Sequence, residues 1–316
     1  MTALSGIAIR PAARRALLAY LILLLVYGCA VAVNREFLAW GTLRLQLVQA
    51  TFIGLIAIGE TLAILIGQID LSVPWTITLS AILSTNLASV YGHQWVAFAV
   101  VIMIGVSVGL LNTLGVFVLR VHSLIWTLSV NLMLQGITLV YTNAVAPTTH
   151  IPGAARALAL GNVGVMPAAF LVWIACGGAA IVALRRMPFG RSVYAIGNSP
   201  AASLLSGVPV GRVHALVFIT SALCAAFVGL LLSGYASQAY LGMGNDYLLP
   251  PIAAVVIGGT RLSGGDGGYA GSIAGALTVV LLQAILVTLN ISEGARQLIF
   301  GAILLALALL FLKRRT

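Results

Sequence analysis

Ser199-Pro200-Ala201-Ala202-Ser203-Leu204-Leu205-Ser206-Gly207 is a self-contained helix signal within the longest charged, turn-rich interval of an apolar chain. Ser199 is suited to accept a backbone N–H as N-cap. Pro200 at the first helical position gives up no needed donor, and Gly207 readily takes the left-handed conformation that closes a helix. The residues between the caps span only about 10 Å at 1.5 Å per residue. That is too short to cross a bilayer and too short to stand alone in water. The segment therefore predicts a short capped helix that leans on another protein.

The chain around it has 316 residues, 61% of them hydrophobic and 7% charged, with a mean hydropathy of +1.12. A soluble globule carries about 25% charged residues, so the composition indicates a polytopic membrane protein in contact with lipid. Sixteen basic residues against six acidic ones give +10. In a soluble protein that balance would suggest nucleic acid. Here the Arg residues fall between apolar spans, where membrane topology accounts for them and no nucleic-acid partner is needed. Lys313 is the sole lysine and Arg314 follows it, so the chain has no Gly-Lys-Ser/Thr phosphate loop and is no Walker-type ATPase by itself. Cys29, Cys176 and Cys224 sit singly in apolar runs, and His93, His122, His150 and His214 lie scattered at span ends. The cysteines read as core or lipid-facing residues and the histidines as interfacial. With no clustered nucleophile, base or metal ligands, the sequence offers neither catalytic residues nor a metal site.

Apolar runs predict about ten membrane spans: 16–33, 46–66, 74–90, 96–118, 123–142, 164–184, 213–232, 249–259, 269–289 and 297–312. Ala30-Val31-Ala32 resembles a signal-peptidase site, but the run before it is long enough to span, and we read it as an uncleaved first helix. An even number puts both termini on one side. A cytoplasmic N-terminus then places Arg10, Arg14, Arg15, Arg120, Arg185, Arg186, Arg191, Arg212, Arg261, Lys313, Arg314 and Arg315 inside, and only Arg35, Arg44, Arg156 and Arg296 outside. The positive-inside rule favours that orientation and puts residues 185–212 in the cytoplasm. Residues 1–316 read as one transmembrane domain.

Two interruptions stand out. Gly67 to Pro74 separates the second and third spans, and Gly258 to Gly268 separates the eighth and ninth. Each carries an acid, a Leu-Ser pair and Gly or Pro, a pattern that inverted repeats leave in sequence, here over about 46–142 and 213–312. Asp70 and Ser72 are candidates to cap the third span, and Asp70 is equally a candidate pathway group. Glu60 lies within a span, where an unpaired carboxylate costs about 2.5–3.5 kcal/mol, so it needs a partner or a polar cavity. Asn112, Asn131, Gln135 and Gln283 are candidates to line a passage for a hydroxylated solute or to bond helix to helix. Asn131 and Gln135 are four apart and share a helix face. Gly105 and Gly109, and Gly271 and Gly275, predict flat faces for close packing within the chain.

Ile69 to Val73, the run Val121 to Asn143 ending Gly136-Ile137-Thr138-Leu139-Val140-Tyr141-Thr142-Asn143, Phe189 to Gly197, Leu205-Ser206-Gly207-Val208 and Ala253 to Thr260 occur in that order. Together they resemble the ribose-type sugar permeases of bacterial ABC importers over essentially the whole chain. The resemblance implies an all-α inner-membrane subunit that pairs with a second permease copy or paralogue and sits on two ABC ATPase subunits. It also implies that a periplasmic binding protein delivers a monosaccharide or related polyol to it. ATP and Mg would be bound by the partner ATPase, with no cofactor in this chain. Residues 185–212 then resemble the coupling loop, with Ser199, Pro200, Ala201, Ala202, Leu204, Leu205, Ser206 and Gly207 forming the docking helix. The family usually has acids and an Arg in that helix, where this chain has Pro200, Ala201 and Leu204. Pro74 and Trp75 replace the usual Gly, and Arg261 the usual Ser after Gly-Gly-Thr. The dock would then hold by Leu204, Leu205 and shape, and a heterodimer whose partner keeps the acids follows as a hypothesis. An ion-coupled secondary transporter and a branched-chain amino-acid ABC permease are the alternatives.

Overall fold

The computed structural model describes residues 11–145, 151–292, 294–299 and 301–302. Over these the chain is helical: α1 (Pro11–Val33), α2 (Trp40–Leu65), α3 (Val73–Tyr91), α4 (Gln94–Thr113), α5 (Ser123–Thr142), α6 (Gly153–Leu160) and α7 (Ala168–Arg186), then α8 (Pro188–Asn198), α9 (Pro200–Leu205), α10 (Val210–Ala236), α11 (Leu249–Ile257) and α12 (Tyr269–Thr288). A single wide turn, Leu114–Val118, extends α4, and two-residue strands at 162–163 and 166–167 pair around Gly164. That hairpin takes up the beginning of the expected span 164–184, so the helix starts at Ala168.

Eight of these helices are long and apolar enough to cross a membrane: α1, α2, α3, α4 with its extension, α5, α7, α10 and α12. The chain is a multi-pass membrane protein. The expected span 249–259 is instead the nine-residue α11, about 13 Å long and half the thickness of an apolar layer. Residues 237–248, mostly non-helical, lead into it. Gly244 N donates to Thr78 Oγ1 at 3.1 Å, next to the first turn of α3. Of the expected span 297–312, residue 300 and residues 303–312 lie outside the described residues.

Contacts sort the loops into two faces. Arg15, the α8–α9 pair and residues 258–268 share one: Arg15 Nη1 lies 2.6 Å from Asp266 Oδ2, and Asn198 Nδ2 donates to Gly265 O at 3.4 Å. Arg44 Nη2 donates to Leu160 O at 3.3 Å on the other, tying the start of α2 to the end of α6. We call the first the basic face. α2 and α10 run through the centre, where Phe52, Ile56, Ile64, Phe218 and Leu230 are fully buried. α1 lies outermost and leans on α12, where Tyr20 Oη donates to Ala270 O.

The expected glycine faces pack within the chain. A Cβ at Gly105 would fall 2.7 Å from Leu223 Cα on α10, and Gly109 sits as closely on Ile219. Gly271 and Gly275 lie on the carbonyls of Gly258 and Ala254 on and beside α11. Hydroxyls within spans mostly bond back four residues, as Thr113 Oγ1 does to Gly109 O, which satisfies them without a partner helix.

The interruption between α2 and α3 is held from α5. Gly67 takes φ +77 and turns the chain. Ile69 N then donates to Ser123 Oγ (3.3 Å), Leu71 N to Thr127 Oγ1 (2.9 Å) and Trp75 N to Asn131 Oδ1 (3.1 Å). Ser123, Thr127 and Asn131 recur every four residues, so one face of α5 supplies all three acceptors. The expected cap therefore differs. Ser72 stands at the N-cap position of α3 without a capping bond, because its φ −80, ψ −7 is already helical rather than extended. Asn131 serves the first turn instead.

Asn131→Leu leaves the Trp75 amide without an acceptor. It should lower unfolding stability in detergent by about 1–3 kcal/mol, the cost of a buried unsatisfied donor. Gln135, half-buried one turn along and without a hydrogen bond among the described residues, provides the control. Gln135→Leu should stay within about 0.5 kcal/mol by the same thermal or denaturant titration.

Candidate functional site

The candidate residues fall into three places. The first is a buried polar knot at the interruption. Asp70, 1% exposed, accepts on Oδ1 from Ser72 N (3.0 Å), Ser72 Oγ (2.6 Å) and Asn112 Nδ2 (3.2 Å), and on Oδ2 from Ser221 Oγ (2.8 Å) of α10. Asn112 Nδ2 also donates to Ser72 Oγ at 2.9 Å. Four donors to one carboxylate account for its burial. Glu60 on α2, also 1% exposed, faces the Asp70 backbone, and its Oε2 has no hydrogen-bond partner among the described residues. Asp70, Asn112 and Asn131 are thus joined around one break and Glu60 borders it, whereas Gln135 and Gln283 stand apart. Ser221, which closes the knot, escaped sequence reading because a lone serine in an apolar span carries no signal of its partner.

The second place is on the basic face. Ser199 Oγ accepts from Ala202 N at 3.3 Å, Pro200 opens α9, and Gly207 takes φ +75, as the caps predict. Val208 N returns to Ser203 O at 3.0 Å and buries Ser203. Leu204 and Leu205 point away from the chain, 66% and 91% exposed. Sequence reading missed α8, which precedes α9 directly. Pro188 at its first position, with Val193 and Ile196 both buried, was the available signal.

α8 anchors α9 to the bundle. Tyr194 Oη donates to Gly267 O (3.0 Å), and Gly265 N to Leu65 O (2.9 Å) at the end of α2. Gly197 fits only because it lacks a side chain, since a Cβ there would strike Leu65 O and the Gly265 backbone. Burial pushes the Tyr194 hydroxyl above its ordinary pKa, with Arg185 opposing and Asp266 adding to the rise, so it remains a neutral donor. The expected Arg261–Asp266 pair is present at 3.5 Å, but Arg15 makes the closer contact.

The third place is a cavity of about 620 Å³ on the face opposite α9. It lies between the outer halves of α2 and α12, the end of α10 and the turn before α11, and Gln283 lines it. Phe52 and Tyr235 meet edge to face across 5.5 Å on its wall. Among the described residues no group of His, Cys, Asp or Glu is placed to hold a metal ion.

Comparison with known proteins identifies the family of the whole chain. The family model described as branched-chain amino acid transport system / permease component matches residues 42–308. The ribose import permease of Haemophilus influenzae is 33% identical, covering 92% of this chain and 91% of that protein. The ribose import permease of Escherichia coli K12 is 31% identical over 94% and 92%. The L-arabinose ABC transporter permease of Azospirillum brasilense is 29% identical over 87% and 81%. No solved structure matches. The chain belongs to the branched-chain amino acid transport system / permease component family, among its ribose-type ABC importer permeases.

Proposed function

We propose that this chain is the permease subunit of an ATP-driven importer that carries a monosaccharide or related polyol across the bacterial inner membrane, with both termini cytoplasmic. The observation that carries the reading is α9. It is a capped helix with two exposed leucines, borne on a basic face and seated by α8 directly on the end of α2. Such a surface suits an apolar groove on a separate ATPase, which would bind ATP and Mg. The relatives that import ribose and arabinose support a sugar as solute. A second permease, identical or a paralogue, and a periplasmic binding protein complete the assembly, and the binding protein carries most of the selectivity. Glu60, Asp70, Asn112 and Asn131 would act by stiffening the bundle beside the route.

The purified importer with its binding protein should hydrolyse ATP faster when a pentose, hexose or polyol is added. Stimulation by a branched-chain amino acid and by no sugar or polyol would overturn the assignment of solute class.

Leu204→Asp with Leu205→Asp should leave membrane insertion intact and release the ATPase. Full burial of a leucine is worth about 1.5–3 kcal/mol, so losing two weakens the dock by roughly a hundredfold or more. Co-purification of the ATPase and initial uptake rate read the effect, and normal values for both would refute the docking role.

A further inference from the structure

We propose that the cavity opposite α9 is a transit site for one neutral, polyhydroxylated solute of monosaccharide size, held by amide side chains and an aromatic wall. This inference rests on the importer reading and locates within this chain a site for its cargo. The volume, about 620 Å³, lies in the range of small-molecule sites. Six amides line it, among them Gln46 and Gln49 of α2, Asn245 of the turn before α11 and Gln283 of α12, with Asn34 and Gln297 at its edge, and Glu36, Asp246 and Arg296 share the lining. An amide offers both donors and an acceptor without a charge, and a sugar hydroxyl presents the same pair of functions. Amides from elements far apart in sequence therefore suit a ligand with hydroxyls on several sides.

Two further observations point to an occupant. Gln46 Oε1 is buried and has no hydrogen-bond partner among the described residues, although the side chain borders open volume. An acceptor in that position is completed by a hydroxyl donor from a ligand. The ring of Tyr235, braced edge to face by the buried Phe52, adds an aromatic surface against which the C–H face of a sugar ring packs. The opening exists because the crossing at α11 is interrupted: residues 248–250 line the cavity where a full-length helix would have filled it. Interrupted spans near the middle of a membrane mark solute sites in transporters generally. The polar knot around Asp70 differs in that its carboxylate is already met by four protein donors.

Gln46→Leu and Gln283→Leu, singly and together, keep side-chain bulk while removing the amides, and assembly with the ATPase is checked by co-purification. Saturation-transfer NMR on the permease–ATPase complex without binding protein, with ribose, arabinose and xylitol as probes at millimolar concentration, reads binding to the cavity directly. At least one probe should show transfer with the unaltered complex, and the signal should fall at least fivefold in the double variant. In liposomes with the binding protein present, the initial uptake rate of the transported probe should fall at least tenfold. No transfer from any probe to the unaltered complex, or equal transfer and uptake in the double variant, overturns the cavity assignment and leaves the importer reading standing. Failure of the importer reading shows separately, as ATP hydrolysis that no sugar or polyol stimulates.

Discussion

A backbone amide inside an apolar layer has no water to bond, and a helix that stops there must find acceptors within the protein. The segment between α2 and α3 meets that constraint with the side chains of α5. Ser123, Thr127 and Asn131 take the amides of Ile69, Leu71 and Trp75, and Asp70 gathers Ser72, Asn112 and Ser221 around its carboxylate. Four helices, α3, α4, α5 and α10, are thereby fixed to one irregular segment. The same constraint acts before α11, where the Gly244 amide finds its acceptor in Thr78. Irregular backbone at Asp70 and Ser72 is tolerated because it is enclosed by protein.

Glycine sets the distances between these elements. Gly105 and Gly109 bring α4 onto α10, Gly271 and Gly275 bring α12 onto α11, and Gly197 brings α8 onto the end of α2. In an apolar solvent, helices gain little from hiding hydrocarbon, so close approach and interhelical hydrogen bonds carry more of the cohesion. The contact between Tyr269 Oη and Gly54 O, with Trp173 Nε1 donating to the same hydroxyl, is one such bond at the centre of the bundle.

Much of the fold was legible in the sequence because spans are announced by long apolar runs and caps by a few residue types. Ser199, Pro200 and Gly207 predicted α9 to within a residue of its end. The sequence was silent where the deciding partner is distant. Asn131 looked like a passage residue because Trp75, whose amide it satisfies, is 56 positions away. α8 was hidden by the charges around it, since Arg185, Arg186 and Arg191 drew attention to topology rather than to the buried Val193 and Ile196. The cavity was the least visible of all, as Gln46 and Gln49 stand at the start of an apolar run and Asn34 and Asn245 outside any, and only Gln283 lies well inside one.

Where Gly197, Gly265 and the Leu65 carbonyl meet, three backbones touch with no side chain between them. Most packed contacts absorb a small displacement by changing a rotamer on one side. This one has no rotamer to change, so it behaves as a joint without play. A shift of α8 by a fraction of an ångström either moves the end of α2 or parts the contact altogether.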